Sequence, residues 1–257
     1  MCGMRTKVRP AYNMAGARQP DRRYLSSVTP DDHLAGLRRE LYAFAGTLHE
    51  PLSTPVAHCG DWTLYDLADH LGRGNLWAAA AVARRRGDHR TPAAPREPAA
   101  LRVWFAASAV ILLTVLDADP ATPAWSFAAA GTVGFWRRRR CAETLVHRWD
   151  AECAVGAPGD IDPCLADDAV AEVIEVMAPR QIERGRARPP RCAIRLTTTD
   201  TLTSRVYGPG APVATVTGSA ADLMLLLWGR RTLEQPGLTC AGDAEALRAV
   251  LAGPLVP

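Results

Sequence analysis

Lysine is almost missing from this 257-residue chain, with Lys7 alone against 29 arginines, and asparagine occurs only at Asn13 and Asn75. Such a bias points to a G+C-rich coding genome and says nothing of mechanism. Cysteine is present but unorganised: the seven, at positions 2, 59, 141, 153, 164, 192 and 240, give an odd count and no C-x-x-C pair. That excludes a disulfide framework and predicts reduced thiols in a cytoplasmic chain. Cys141 and Cys153 read as small core residues. Long apolar runs are lacking as well. Residues 1 to 23 hold no stretch of signal-peptide length. Ala106 to Leu116, broken only by Ser108 and Thr114, is about half of what a bilayer span needs, so a buried helix and no membrane association are expected.

Charge of one sign is scarce outside the first residues. Residues 1 to 23 set six cations against Asp21, so the formal +3 rests on that stretch and the rest is slightly acidic. No basic face for nucleic acid follows. The stretch reads as a disordered leader or a mis-called start, with Met14 as another candidate initiator. The run Arg137 to Arg140 could grip phosphate but is too short to argue for DNA, and is expected as a solvated helix start.

With 48% hydrophobic residues, the chain can bury one large core or two modest ones, and its pattern favours two. Thr29-Pro30-Asp31-Asp32 combines an N-cap, a proline at the first helical position and early acids. A first helix from there to about Leu48 is predicted. Thr63, with Asp66 three residues on, caps a second, in which Leu64, Leu67, Ala68 and Leu71 repeat at helical spacing to about Arg86. A proline-rich loop over 87 to 98 precedes a third helix at 99 to 117, and a fourth runs from about Phe135 to Val155. The expected fold class is α+β: an antiparallel four-helix bundle over 24–157 and a small C-terminal α/β domain over 158–257. The second unit is read as a helix at 163 to 178, strands at 192 to 197, 204 to 207 and 212 to 217, a helix from Ala220 to Trp228, and a closing strand and helix after Leu238.

Two residues four apart, Glu143 and His147, fall on one face of the fourth helix, within reach of a single ion. His70 sits on the apolar face of the second helix. Together the three would form a two-His, one-carboxylate set of the kind catalytic zinc sites use, with a coordination position left open. The competing reading is an ordinary Glu–His hydrogen bond and a semi-buried histidine beside Leu67 and Leu71. His33, His49, His58 and His89, near helix ends or in loops, are not expected as ligands. Asp150, three residues after His147, either hydrogen-bonds a ligating imidazole or faces solvent.

Trp62 followed by Asp66-Leu67-Ala68-Asp69-His70-Leu71, then Glu143-Thr144-Leu145-Val146-His147-Arg148-Trp149-Asp150-Ala151-Glu152, then Leu225-Leu226-Leu227-Trp228-Gly229-Arg230 resembles the maleylpyruvate isomerase family of mycothiol-dependent enzymes. The likeness runs in order over roughly residues 29 to 252, and its most specific part is the Glu-x-x-x-His-Arg-Trp-Asp stretch. The leader and the arginine run match no part of the family pattern. The resemblance implies a DinB-like bundle and a sterol-carrier-like second domain closing over a divalent ion, usually zinc, held by His70, Glu143 and His147. It also implies mycothiol as thiol cofactor or co-substrate and a small-molecule substrate, in a monomer or small homo-oligomer. Arg230 is the catalytic and cofactor-binding arginine expected near the cleft, with Arg231 as its possible substitute.

A free thiol, of pKa ~8.5, is mostly protonated at neutral pH, whereas a metal-bound one is deprotonated. The implied reaction is thiolate addition to a cis double bond conjugated to a carbonyl, rotation, and loss of the thiolate to give the trans isomer. The same thiolate could instead stay on an electrophile, as in a mycothiol S-transferase. A non-catalytic protein holding a small apolar molecule is the third reading.

Overall fold

The computed structural model describes residues 28–128 and 131–257. The basic leader lies outside the described residues. Four long helices come first: α1 (Pro30–Thr47), α2 (Leu64–Ala83), α3 (Pro98–Leu116) and α4 (Val133–Ala154). Local chemistry sets their starts. Thr29 and Thr63 each form a reciprocal capping box with the aspartate three residues on, Glu97 accepts from the backbone N–H groups of Ala99 and Ala100, and Thr132 accepts from Phe135. Each cap occupies backbone donors that a helix start leaves unpaired.

The bundle packs α1 on α4 and α2 on α3. Leu37, Leu41 and Phe44 of α1 meet Leu64, Leu67 and Leu71 of α2, Leu101, Phe105 and Leu112 of α3, and Trp136 and Leu145 of α4 in one core. α3 departs from the buried helix expected of its composition. Only Leu101, Phe105, Ser108, Leu112 and Leu116 turn inward, while Val103, Val110 and Ile111 are 71%, 63% and 47% exposed. The helix is apolar and long enough to cross a membrane by length and composition, yet its inner stripe is seated in the bundle. Its spacing of four, three, four and four residues is that of a one-sided helix.

The arginine run is the main correction. Arg137, Arg139 and Arg140 are buried, because α4 is lined by carboxylates from α1, from Asp168 and Glu172, and from its own next turn. Arg137 donates to Asp31 (2.6 Å), Arg138 to Asp168 (2.8 Å), Arg139 to Glu172 (2.6 Å) and Arg140 to Glu143 (2.6 Å). All four guanidiniums thus have carboxylate partners, as buried charges require. Cys141 is buried as expected, whereas Cys153 is only partly so.

The second unit opens with α5 (Pro163–Glu172), which passes through a π-helical turn (Val173–Met177) into α6 (Ala178–Glu183). The sequence reading ended this helix near residue 178. Pro179 lacks an N–H and its ring crowds the preceding turn, and the widened turn lies directly before it, so the helix carries on. The sheet has the order β2-β1-β3-β4, from β1 (Ala193–Thr198), β2 (Ser204–Tyr207), β3 (Pro212–Gly218) and β4 (Thr239–Gly242). β1 pairs parallel to β3, in the register Leu196 to Val216, and the outer strands are antiparallel. α7 (Ala220–Leu227) and α8 (Ala244–Leu251) pack on the sheet, and α7 also packs on α5.

Candidate functional site

His70 comes from α2, Glu143 and His147 from α4, and the pairing of these helices brings the three together. His70 Nε2 lies 3.0 Å from Glu143 Oε1, and the His70 and His147 rings meet edge to face at 5.2 Å. One donor atom from each residue lies within 4.8 Å of the others. Glu143 and His147 share no hydrogen bond among the described residues, their partners being Arg140 and His70 for the first and Asp150 for the second, and His147 is only 6% exposed.

The surroundings prepare each group. Glu143 Oε2 accepts from Arg140 Nη1 at 2.6 Å and lies 3.3 Å from Arg139 Nη2. Burial alone would raise its carboxyl, but Arg140, Arg139 and His70 outweigh burial and hold it well below the usual range. Glu143 is thus an anion at neutral pH. His147 Nδ1 lies 2.9 Å from Asp150 Oδ2. The buried carboxylate is an acceptor, so Nδ1 carries the hydrogen and Nε2 keeps its lone pair. Burial, opposed by Asp150, lowers the His147 pKa and favours the neutral ring.

Asp150 is fully enclosed and joins the two units. Arg230 donates Nε to Oδ1 (3.1 Å) and Nη2 to Oδ2 (2.7 Å), a two-pronged contact from the C-terminal unit onto α4. The turn that delivers Arg230 depends on Gly229, whose φ of +74° is costly for residues with a Cβ. Arg231 goes elsewhere: its Nε lies 3.1 Å from Asp222, and Nη1 donates to Pro236 O. The alternative to Arg230 is therefore directed away from the cluster.

A cleft of about 370 Å³ opens on the cluster, walled by Trp62, Trp228, His58, Cys59 and Arg230 as well as His70 and His147. Trp62 lies 5.0 Å from the His70 ring, and His58 stacks on Trp149 at 5.5 Å. Sequence reasoning missed Cys59, Arg139 and Arg140. Cys59 Sγ lies 3.5 Å from both Asp150 Oδ2 and Arg230 Nη2. No local motif marks it, whereas Arg139 and Arg140 stand four and three residues before Glu143, a helical spacing that pairs charges. Burial, then Asp150, pushes the Cys59 thiol up to about 12, so it is no thiolate nucleophile at neutral pH.

Among the described residues, two sets have metal-ligand proximity, the His70 set and Cys59 with His147 and Asp150. The second would require Asp150 to leave Arg230 and Cys59 to lose a tightly held proton. The first already offers an ionised carboxylate, a neutral imidazole with a free Nε2 and a second imidazole, with no ion pair between the units to break. Those donors suit a divalent ion that accepts nitrogen and oxygen ligands.

A helical bundle with a two-His, one-Glu cluster, capped by a small α/β unit that sends an arginine to the cluster, is the class of protein these observations define. The Mycothiol maleylpyruvate isomerase N-terminal domain family matches residues 34–152, and the MDMPI C-terminal domain family matches residues 165–249. The chain belongs to the mycothiol-dependent maleylpyruvate isomerase family. Two uncharacterized proteins of Mycobacterium tuberculosis, Rv0738 and MT0763, are each 27% identical over 168 residues, 62% of this chain and 85% of theirs. The fold is similar to the crystal structure of the mycothiol-dependent maleylpyruvate isomerase, with a TM-score of 0.62 and 17% identity over 84% of this chain and 94% of that one.

Proposed function

We propose that the chain is a metal- and mycothiol-dependent enzyme that isomerises a cis-unsaturated oxo acid of the maleylpyruvate kind. The observation that carries this reading is the His70–Glu143–His147 cluster, set beside Arg230 in a cleft between the two units. His70, Glu143 and His147 would hold the ion. A divalent ion such as zinc supplies Lewis acidity and keeps a bound thiol ionised at neutral pH.

The chain's own groups do the remaining work. Arg139 and Arg140 keep Glu143 ionised, and Asp150 fixes the tautomer and ring plane of His147. Arg230 Nε and Nη2 are occupied by Asp150, and Nη1 donates to Trp228 O at 2.8 Å, which leaves a second Nη1 hydrogen for the negative charge that develops on a substrate oxygen. That charge would meet a donor already held in place, the form of electrostatic help that costs least reorganisation. Trp62 and Trp228 give the cleft aromatic walls.

The test is turnover of maleylpyruvate by metal-loaded protein with and without mycothiol, followed by product and thiol. Trans product with the thiol recovered is expected. Stoichiometric loss of thiol into an adduct would replace isomerisation by thiol transfer at the same cluster. Equal turnover without thiol and without metal would overturn the reading.

A further inference from the structure

The cluster borders a second cavity. A space of about 680 Å³ shares only His70 and Glu143 with the cleft beside Arg230, and its other walls include Arg73, Arg90, Arg140 and Thr91. Its size lies in the range of small-molecule sites. Its charge is one-sided: three guanidiniums face it, against Glu143 as the one carboxylate in its lining.

The wall that carries Arg90 is built rather than loose. The loop between α2 and α3 is pinned on α2 by Trp77 Nε1 to Gly87 O (2.9 Å), by Tyr65 Oη to Ala94 O (2.8 Å) and by Ala94 N to Asp69 Oδ1 (2.7 Å). Gly74 is also in the lining, and a Cβ there would come within 2.7 Å of Arg140 Nη1, so the guanidinium lies close against α2. Several donors there are unmatched. Arg90 makes no ion pair among the described residues, and Arg73 has only a 3.3 Å contact with Asp69. Thr91 Oγ1 is buried without a hydrogen-bond partner, as is Nε of Arg140, a residue only 2% exposed. Those two atoms have no surface open to the cavity, so the groups free to meet an anion there are the guanidiniums of Arg90 and Arg73.

We propose that this cavity is a carboxylate-binding site, and that it takes one carboxylate of a small unsaturated dicarboxylic acid while the reacting carbons lie toward His70 and Glu143. The cations stand on three separate elements: Arg73 on α2, Arg90 on the loop and Arg140 on α4. That spread lets a planar carboxylate meet guanidiniums from more than one side. The assignment of the bound acid as substrate rests on the proposed function; the binding of the anion does not.

The experiment is calorimetric titration of maleate into the full chain, stripped of metal on a chelating resin, without thiol and at low ionic strength. Saturable binding is expected, weaker for the monocarboxylate crotonate and weakened by added salt. Arg73→Gln and Arg90→Gln, both exposed and so safe for folding, should each weaken maleate about fivefold, in keeping with half-solvated charge pairs. Arg191→Gln, in another basic cavity near the C-terminal helix, should match the wild type. No saturable maleate binding, wild-type affinity in both cavity variants, or inorganic phosphate binding more tightly than maleate would each overturn the proposal. Since neither metal nor thiol is present, failure here is separable from failure of the isomerase assay.

Discussion

Among single residues, Asp150 ties the cluster to the second unit: one carboxylate holds His147, Arg230 and Cys59. Asp150→Asn should leave the fold intact but allow the wrong His147 tautomer and loosen Arg230. A fall of about 10- to 100-fold in metal affinity is expected, the usual cost of losing a group that orients a ligating histidine. Competition with a chromophoric chelator would measure it, and unchanged affinity would remove Asp150 from the site. The meeting of His70, Glu143 and His147 was legible because a four-residue spacing and a recognisable stretch mark them. Asp150 was half legible: three residues from His147 it had to lie near, but solvent was an equal destination. Arg139 and Arg140 were misread because burial of a charge depends on its partners. Glu172 stands 33 residues away from Arg139 in sequence, and no local pattern announces it.

At the level of elements, the starts of the helices were the most legible feature, since an N-cap is a contact over three residues. Thr63 accepts from Asp66 N, and Asp66 accepts from Thr63 N, at the mouth of the helix that presents His70. Thr63→Ala should cost about 1 kcal/mol of stability, read as a lower urea midpoint at unchanged slope. No change in midpoint would mean that tertiary packing alone fixes this start. Features that depend on neighbours were less legible. The passage of α5 into α6 through a π-helical turn runs beyond the helix read at 163 to 178, because a turn widened ahead of Pro179 leaves no mark in the side-chain pattern. The outer face of α3 was expected to be covered because composition shows how apolar a helix is, and only packing shows which side is buried. The strand order, with β1 beside β3, lies likewise beyond a pattern read along one segment.

For the molecule as a whole, the two units are tied by ion pairs as well as by apolar packing. Asp168 on α5 meets His33 of α1 and Arg138 of α4, each at 2.8 Å. Burial would raise its carboxyl, but His33 and Arg138 prevail and lower it from the ordinary 3.8. The unfolded chain therefore takes up this proton first as pH falls. The stabilisation is complete well above pH 3.8 and disappears as the pH drops through the lower, folded-state value. Asp168→Asn should accordingly be less stable than the wild type at pH 7, with the gap in thermal midpoint closing in strong acid. A constant gap across that range would contradict the ionic account of this joint.

In the function proposed above, this joined architecture presents His70, Glu143 and His147 to one divalent ion. Metal content by mass spectrometry, on untagged protein and on His147→Ala, tests it most directly. Close to one equivalent in the wild type and almost none in the variant is the predicted result; no metal in either, or the same amount in both, would contradict it.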